Sequence, residues 1–183
     1  MSSMRDIKQR IENVRSVEQI INAMDMVAST KLVKARAQLE GVRPIYRGLK
    51  RVVEDVGSQK GAELHPFYKE REVKNSLYIV MTSDRGLAGS YNANITAKAL
   101  EHMNQGRNEK IVTVGSKGYE YFKRKGKNIV QTIIDVVDSQ VYYGTESLAK
   151  WIADYYMAGE TDEVFIAYTH FENVLNYLPV VVK

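Results

Sequence analysis

No cysteine occurs anywhere in the chain. That excludes disulfides, thiol catalysis and cysteine-based zinc sites, and a cytosolic or cytosol-facing location fits best. Histidine is almost as scarce. His65, His102 and His170 are isolated and show no metal-ligand spacing. Long apolar runs are missing: stretches such as "LYIVM" (Leu77 to Met81) are far too short to span a bilayer. Arg5, Asp6, Lys8 and Arg10 interrupt the first residues, so no signal-peptide core is expected. Neither a G-x-S-x-G elbow nor a kinase-type set of motifs is present. The pair Asp135 and Asp138 reads as a solvated loop rather than an acid–base dyad. The sequence by itself presents no catalytic residue and no cofactor or metal site.

What is there is ordinary in bulk and uneven in placement. The 183 residues are 44% hydrophobic and 26% charged, which suits a soluble globular protein of one domain plus an extension. Residues 1–56 hold 11 Lys/Arg against 7 Asp/Glu, a balance of +4, while residues 57–183 hold 15 of each. All the excess positive charge therefore lies on the first third. A basic rod faces nucleic acid, anionic lipid or an acidic protein surface, or else is simply a solvated face.

The first third reads as one long helix. Ile7, Ile11, Val14, Ile21, Met24, Ala28, Leu32, Ala35 and Leu39 follow one another, mostly in steps of three and four. Val42, Tyr46, Leu49, Val53 and Val56 continue the series, and Glu18 interrupts it. The mean step is about 3.5, the coiled-coil period. About 50 helical residues would extend roughly 75 Å, further than a domain this size is wide. Pro44, with Gly41 beside it, predicts a kink or break around residues 41–44. An apolar seam of this length needs a mate. Nothing later in the chain offers a helix of matching length. The middle of the seam, with Met24, Ala28 and Ala35, is small and pliable, which suits gap filling or shifting contacts.

From Ser76 the pattern alternates. Strands are expected at 76–83, 110–115, 128–135, 163–171 and from 174 onward, with helices at 92–103, 116–125 and 145–159. The expected fold class is α/β: a long N-terminal coiled-coil helix plus a Rossmann-like, mostly parallel sheet domain covered by helices. The expected division is 1–57 helix, 58–75 linker loop and 76–183 α/β domain. "TSDRGLAGSYN" (Thr82 to Asn92) lies at the end of a strand leading into a helix, where such folds bind ligands. It lacks both G-x-G-x-x-G and G-K-[ST], and Asp84 would repel a phosphate, with Arg85 as an offset. "VGSKG" (Val114 to Gly118) is a second turn of the same weak kind.

Taken together, several motifs carry a family resemblance. "INAMDMVASTKLVKARAQLEGVRPIY" (Ile21 to Tyr46) resembles the N-terminal helix of the gamma subunit of rotary F-type ATP synthases. "SDRGLAGSYNANI" resembles that family's loop after its first strand, "IVTVGSKGYEYF" its next strand–turn–helix, and "HFENVLNYLPVVVK" its last central strand. The likeness spans nearly the whole sequence and keeps the order of elements. Asp25 in "AMDM" stands where Glu is usual, and "STKL" replaces the common "ASKM".

The resemblance implies a non-catalytic central rotor. In that family the N-terminal helix pairs with a long C-terminal helix as an antiparallel coiled coil inside a collar of alpha and beta subunits. The α/β domain lies beside the small epsilon subunit and on the membrane ring of c subunits. Ion flow turns the rotor and drives the catalytic subunits through synthesis of ATP. The matching contact residues here are Met24, Lys31, Lys34 and Arg36, with Arg10 and Arg15 as secondary candidates. The seam implied by the resemblance is Ile7, Ile11, Val14, Ile21, Ala28, Leu32, Ala35 and Leu39. Family members continue past Lys183 into the C-terminal helix, so the 183 residues are expected to be a fragment of a longer chain. A bacterial origin and a peripheral place on the cytoplasmic face of the membrane are also implied, with no nucleic acid, no cofactor and no membrane insertion. The alternatives are a small nucleotide-dependent α/β enzyme with a helical dimerisation arm, and a nucleic-acid-binding protein. Glu12, Glu18 and Asp25 along the basic helix argue against the last.

Overall fold

The computed structural model describes residues 3–69, 71–103, 107–135 and 141–183, the side chains of 141–143 excepted. The chain divides into two compact units, 1–69 and 70–183.

The first unit is dominated by helix α1, Met4–Gly57, 54 residues long. At 1.5 Å per residue it extends about 81 Å. Ser3 starts it with a reciprocal cap: its hydroxyl accepts from the Arg5 N–H, and the Asp6 carboxylate accepts from the Ser3 N–H at 2.9 Å. Two of the four orphan donors of the first turn are thereby tied up. Asp6 also places a negative charge at the positive end of the helix dipole.

Of the kink or break expected at 41–44, the break does not occur. Pro44 lies inside an unbroken helix. Proline forfeits one backbone bond and crowds the preceding turn, a cost of about 3 kcal/mol that stays local. The turns beyond it are held from outside. The Tyr68 hydroxyl donates to the Val53 carbonyl at 2.8 Å, and its ring lies against Gly57, where a Cβ would overlap it. The loop after the helix thus clamps the final turns. Within that loop, Ala62–Leu64 forms a single 3₁₀ turn.

The second unit is a five-stranded sheet with helices on both faces. Its elements are β1 (Asn75–Met81), α2 (Tyr91–Met103), β2 (Asn108–Val114), α3 (Ser116–Arg124), β3 (Ile129–Ile133), α4 (Val141–Met157), β4 (Glu163–Phe171) and β5 (Tyr177–Val182). The strand order is β3-β2-β1-β4-β5. The first four strands run parallel, and β5 runs antiparallel to β4. The helix expected at 145 begins four residues earlier, at Val141. Of the carboxylate pair, Asp138 lies outside the described residues.

Strand alternation divides the core into two layers. Tyr78 and Val80 point to the face covered by α2 and α3, against Ile95, Ala99, Met103 and Phe122. Leu77 and Ile79 point to the other face, against Leu148, Trp151 and Ile152 of α4. β1 is buried on both sides, which is why it reads as a continuous apolar run rather than an alternating one.

A polar cluster ties down the start of this sheet. Glu163 is buried and accepts from the Ser76 hydroxyl at 2.8 Å, from Lys183 at 3.0 Å and from Arg107. Burial pushes its carboxyl up, but Ser76, Lys183 and Arg107 outweigh that and hold it below the usual carboxylate range. Asp162 accepts from the backbone N–H groups of Lys74 and Asn75, closing the entry to β1.

Candidate interaction surface of the long helix

No residue of α1 is buried. Its apolar side chains are nonetheless arranged in an ordered way. Ile7, Val14, Ile21, Ala28, Ala35, Val42, Leu49 and Val56 recur every seventh residue. A second series, Ile11, Glu18, Asp25, Leu32, Leu39, Tyr46 and Val53, lies four residues after each of the first. Together they form the two core columns of a coiled-coil seam. The strict repeat of seven drifts against a straight helix of 3.6 residues per turn, so a mate following it must coil left-handed. Ile21 is 59% exposed and Leu39 38% exposed, so the stripe is open to water along its length. Met24 falls outside these two columns, and Asp25 occupies the core position next to it.

Met24 belongs instead to a second apolar stripe beside the seam. Val17, Ile20, Met24 and Val27 follow one another at three-, four- and three-residue steps and are all exposed. The same row continues into Lys31 and Lys34, and Arg10 begins it one heptad before Val17. The family resemblance points to Met24 but not to Val17, Ile20 or Val27 around it; the signal that finds them is their spacing, offset from the seam. Between residues 17 and 28 the helix is therefore apolar on more than one face. A helix of that kind is normally enclosed by other chains or by the rest of its protein.

Arg36 does not share this row. It lies on the opposite flank of the seam, with Arg15, and its guanidinium pairs with Glu40 one turn further on at 2.8 Å. The helix thus brings together Met24, Lys31, Lys34 and Arg10, and sets Arg36 and Arg15 apart. Among the described residues Lys31 and Lys34 have no ion pair and are exposed.

The loop after β1 has a different character. The Asp84 carboxylate accepts from the Ser116 N–H at 2.8 Å, at the first turn of α3, and from the Asp135 N–H at 3.2 Å. Thr82 accepts from the Gly118 N–H at 2.8 Å and donates to the Val114 carbonyl at 3.0 Å. Asn92 and Ser83 bond each other across the mouth of the loop. Gly115 turns the chain with φ of 95°, and a Cβ there would overlap the Thr82 carbonyl. The helix N-terminus that would cradle a phosphate is thus filled by the protein's own carboxylate. The glycines serve close backbone approach. The histidines also have local roles: His102 bonds the Tyr78 hydroxyl at 2.9 Å and packs on Phe165. Among the described residues no group of three or more potential metal ligands gathers.

An exposed coiled-coil seam on a 54-residue helix, in one chain with a mostly parallel α/β unit whose own Asp84 caps α3, defines a two-unit α/β protein with a long helical interaction surface. The sequence model of the ATP synthase family matches residues 3–183, and the chain belongs to that family. It is 39% identical over 183 residues to the ATP synthase gamma chain of Desulforamulus reducens, covering all of this chain and 65% of that one. To the gamma chain of Pelotomaculum thermopropionicum it is 38% identical over 185 residues, again with 65% of that protein covered. A gamma chain of Acetobacterium woodii, described as sodium ion specific, is 34% identical over 94% of this chain and 57% of its own. The chain thus spans less than two thirds of the length of these relatives. Among solved structures, the central stalk and c-ring of the Tetrahymena thermophila mitochondrial ATP synthase matches with a TM-score of 0.71 at 23% identity, over 89% of this chain and 70% of that one. The rotor of the Euglena gracilis mitochondrial enzyme matches at 0.60 and 16% identity, over 97% of this chain and 61% of that one. At these identities the structures speak for the fold alone.

Proposed function

We propose that the chain is the non-catalytic central rotor subunit of an F-type ATP synthase, coupling ion-driven rotation of a membrane ring to the conformational cycle of the catalytic subunits. The observation that carries this reading is α1 itself. It is a 54-residue helix with no buried residue, an open seam along its length and a second apolar stripe over residues 17–27. One coiled-coil mate covers the seam. The second stripe, running into Lys31 and Lys34, then faces a surrounding collar of alpha and beta subunits.

Contacts of that kind suit rotation. Met24 is unbranched and adapts to a changing surface. Exposed lysine charges attract an acidic loop weakly and reversibly, since surface ion pairs contribute only about 0–1 kcal/mol each. The α/β unit supplies the surface for the epsilon subunit and the ring of c subunits. No described helix is long and apolar enough to cross a membrane, so association with the membrane's cytoplasmic face would run through those partners.

The alternative, a nucleotide-dependent enzyme with a helical arm, meets a specific obstacle. Asp84 already occupies the start of α3, and a phosphate there would have to displace a carboxylate of its own sign. The test is assembly. Mixed with the alpha and beta subunits of its own complex, the chain should enter a stoichiometric head that hydrolyses ATP. Failure to enter that head, together with micromolar ATP or NAD binding to the chain alone, would overturn the reading.

A further inference from the structure

Two successive positions in one core column of the α1 seam are acidic. Glu18 and Asp25 stand seven residues apart in a column otherwise filled by Ile11, Leu32, Leu39, Tyr46 and Val53. Neither has an ion pair or side-chain hydrogen bond among the described residues. Asp25 has no base three or four residues away on its own helix, where Ile21, Asn22, Ala28 and Ser29 stand. Glu40 pairs with Arg36 and Glu54 with Lys50 on the helix surface, whereas Glu18 and Asp25 stand in the core column itself. The flank of the seam next to the first core column carries the opposite sign, with Lys8, Arg15, Arg36, Arg43 and Lys50 at seven-residue intervals or multiples of them.

We infer that the seam is built for one long helix of different sequence, with Lys or Arg at the two core positions facing Glu18 and Asp25 and acidic residues along the flank facing Arg15 and Arg36. This rests on the coiled-coil reading of α1 and deepens it. A second copy of this chain does not fit. Aligned in parallel, two copies would set Glu18 against Glu18 and Asp25 against Asp25. Aligned antiparallel, each acid would face a residue of the other column, from Ile7 to Val56, and every member of that column is apolar. In neither orientation does the core of a second copy supply a cation. A carboxylate enclosed by apolar side chains with no partner is strongly disfavoured. Paired, it fixes register, as a single polar core residue does in other coiled coils. Two charged layers then fix which helix binds α1 and at what height along it.

Binding of designed helical peptides to the 183-residue chain tests this. Three peptides carry leucine at every core position except the two facing residues 18 and 25, which are Arg, Leu or Glu. Each is made in both chain directions. In its better direction, the Arg peptide should bind at least tenfold more tightly than the Leu or Glu peptide. In E18L/D25L the Leu peptide should become the tightest, and that variant should self-associate at concentrations where the native chain stays monomeric. Equal binding of the three peptides would overturn the charge matching while leaving the rotor reading intact. Binding of none, or native self-association as tight as the variant's, would overturn the proposed seam. Failure of the rotor reading itself shows separately, in the assembly test with alpha and beta subunits.

Discussion

The two units of the chain treat apolar side chains in opposite ways. In the α/β unit Leu77, Val80, Ile95 and Phe122 are wholly buried, whereas in α1 nothing is buried and Ile21 is 59% exposed. Charge divides along nearly the same line, with the whole excess of +4 within residues 1–56. One unit has satisfied its surfaces internally. The other leaves its apolar side chains, and the charges of Lys31 and Lys34, exposed. Stability should therefore be read from the α/β unit and association from α1.

The widest separation comes from truncating one large side chain in each. Phe122→Ala should cost the α/β unit about 3–5 kcal/mol, because it opens a cavity under α3 that the sheet cannot close. Denaturant unfolding followed through Trp151 fluorescence measures it. Leu39→Ala should leave that curve within about 0.5 kcal/mol, yet weaken entry into the catalytic head. Equal effects on unfolding would erase the distinction between the units. Gly115→Ala comes next. Its φ of 95° is strained for any side chain, at about 1–3 kcal/mol, and the overlap with the Thr82 carbonyl adds to it. The unfolding midpoint should fall accordingly, with α1 helicity by circular dichroism unchanged.

Much of this was legible in residue spacing. Steps of three and four gave α1, and the apolar runs at Leu77–Met81 and Ile111–Val114 marked the central strands. The antiparallel turn of β5 was also readable in principle: Glu172–Asn176 is too short a connection for a parallel crossover. The strand order was not, because pairing is decided between residues far apart in sequence. Pro44 does not break α1, because its helix cost is local, while the Tyr68 clamp on Gly57 and Val53 comes from the following loop. Asp84 stood out as an obstacle to phosphate. That it caps α3 follows only once β1 and β2 lie side by side and bring Thr82 against Val114.

Acid and alkali both act on the α/β unit, through two different groups. The folded-state carboxyl of Glu163 titrates below its ordinary value of 4.5, so its stabilisation is complete above that pH and is lost as pH falls through the lower, folded value. Glu163→Gln should flatten this acid limb in the unfolding free energy. At the other end, burial first and then Glu109 and Glu163 push the Tyr78 hydroxyl up to about 12. The unfolded chain ionises near 10 while the folded one holds its proton, so this stabilisation is present below pH 10 and disappears as pH rises toward 12. Tyr78→Phe should remove the alkaline limb. A smaller loss, about 1 kcal/mol, is expected for Asp84→Ala, which takes the cap from α3. Restoration by Asp84→Asn, whose carbonyl oxygen can accept from Ser116 but carries no charge, would show that the residue acts by hydrogen bonding.

The smallest effect on folding should fall where the effect on association is most specific. Lys31 and Lys34 are exposed, so replacing either with Ala should change unfolding by no more than a few tenths of a kcal/mol. If they face an acidic surface in the assembled head, each removal should lower the association rate and reduce its dependence on salt, because attraction between exposed charges is screened within about 10 Å at 0.1 M ionic strength. Arg36→Ala serves as the internal control. It lies across the seam and pairs with Glu40 on its own helix, so it should leave that salt dependence nearly unchanged. Stopped-flow association at a series of salt concentrations distinguishes the two flanks. A larger change for Arg36 than for Lys31 and Lys34 would move the contact surface to the other side of the helix and leave the row from Val17 to Lys34 without a partner.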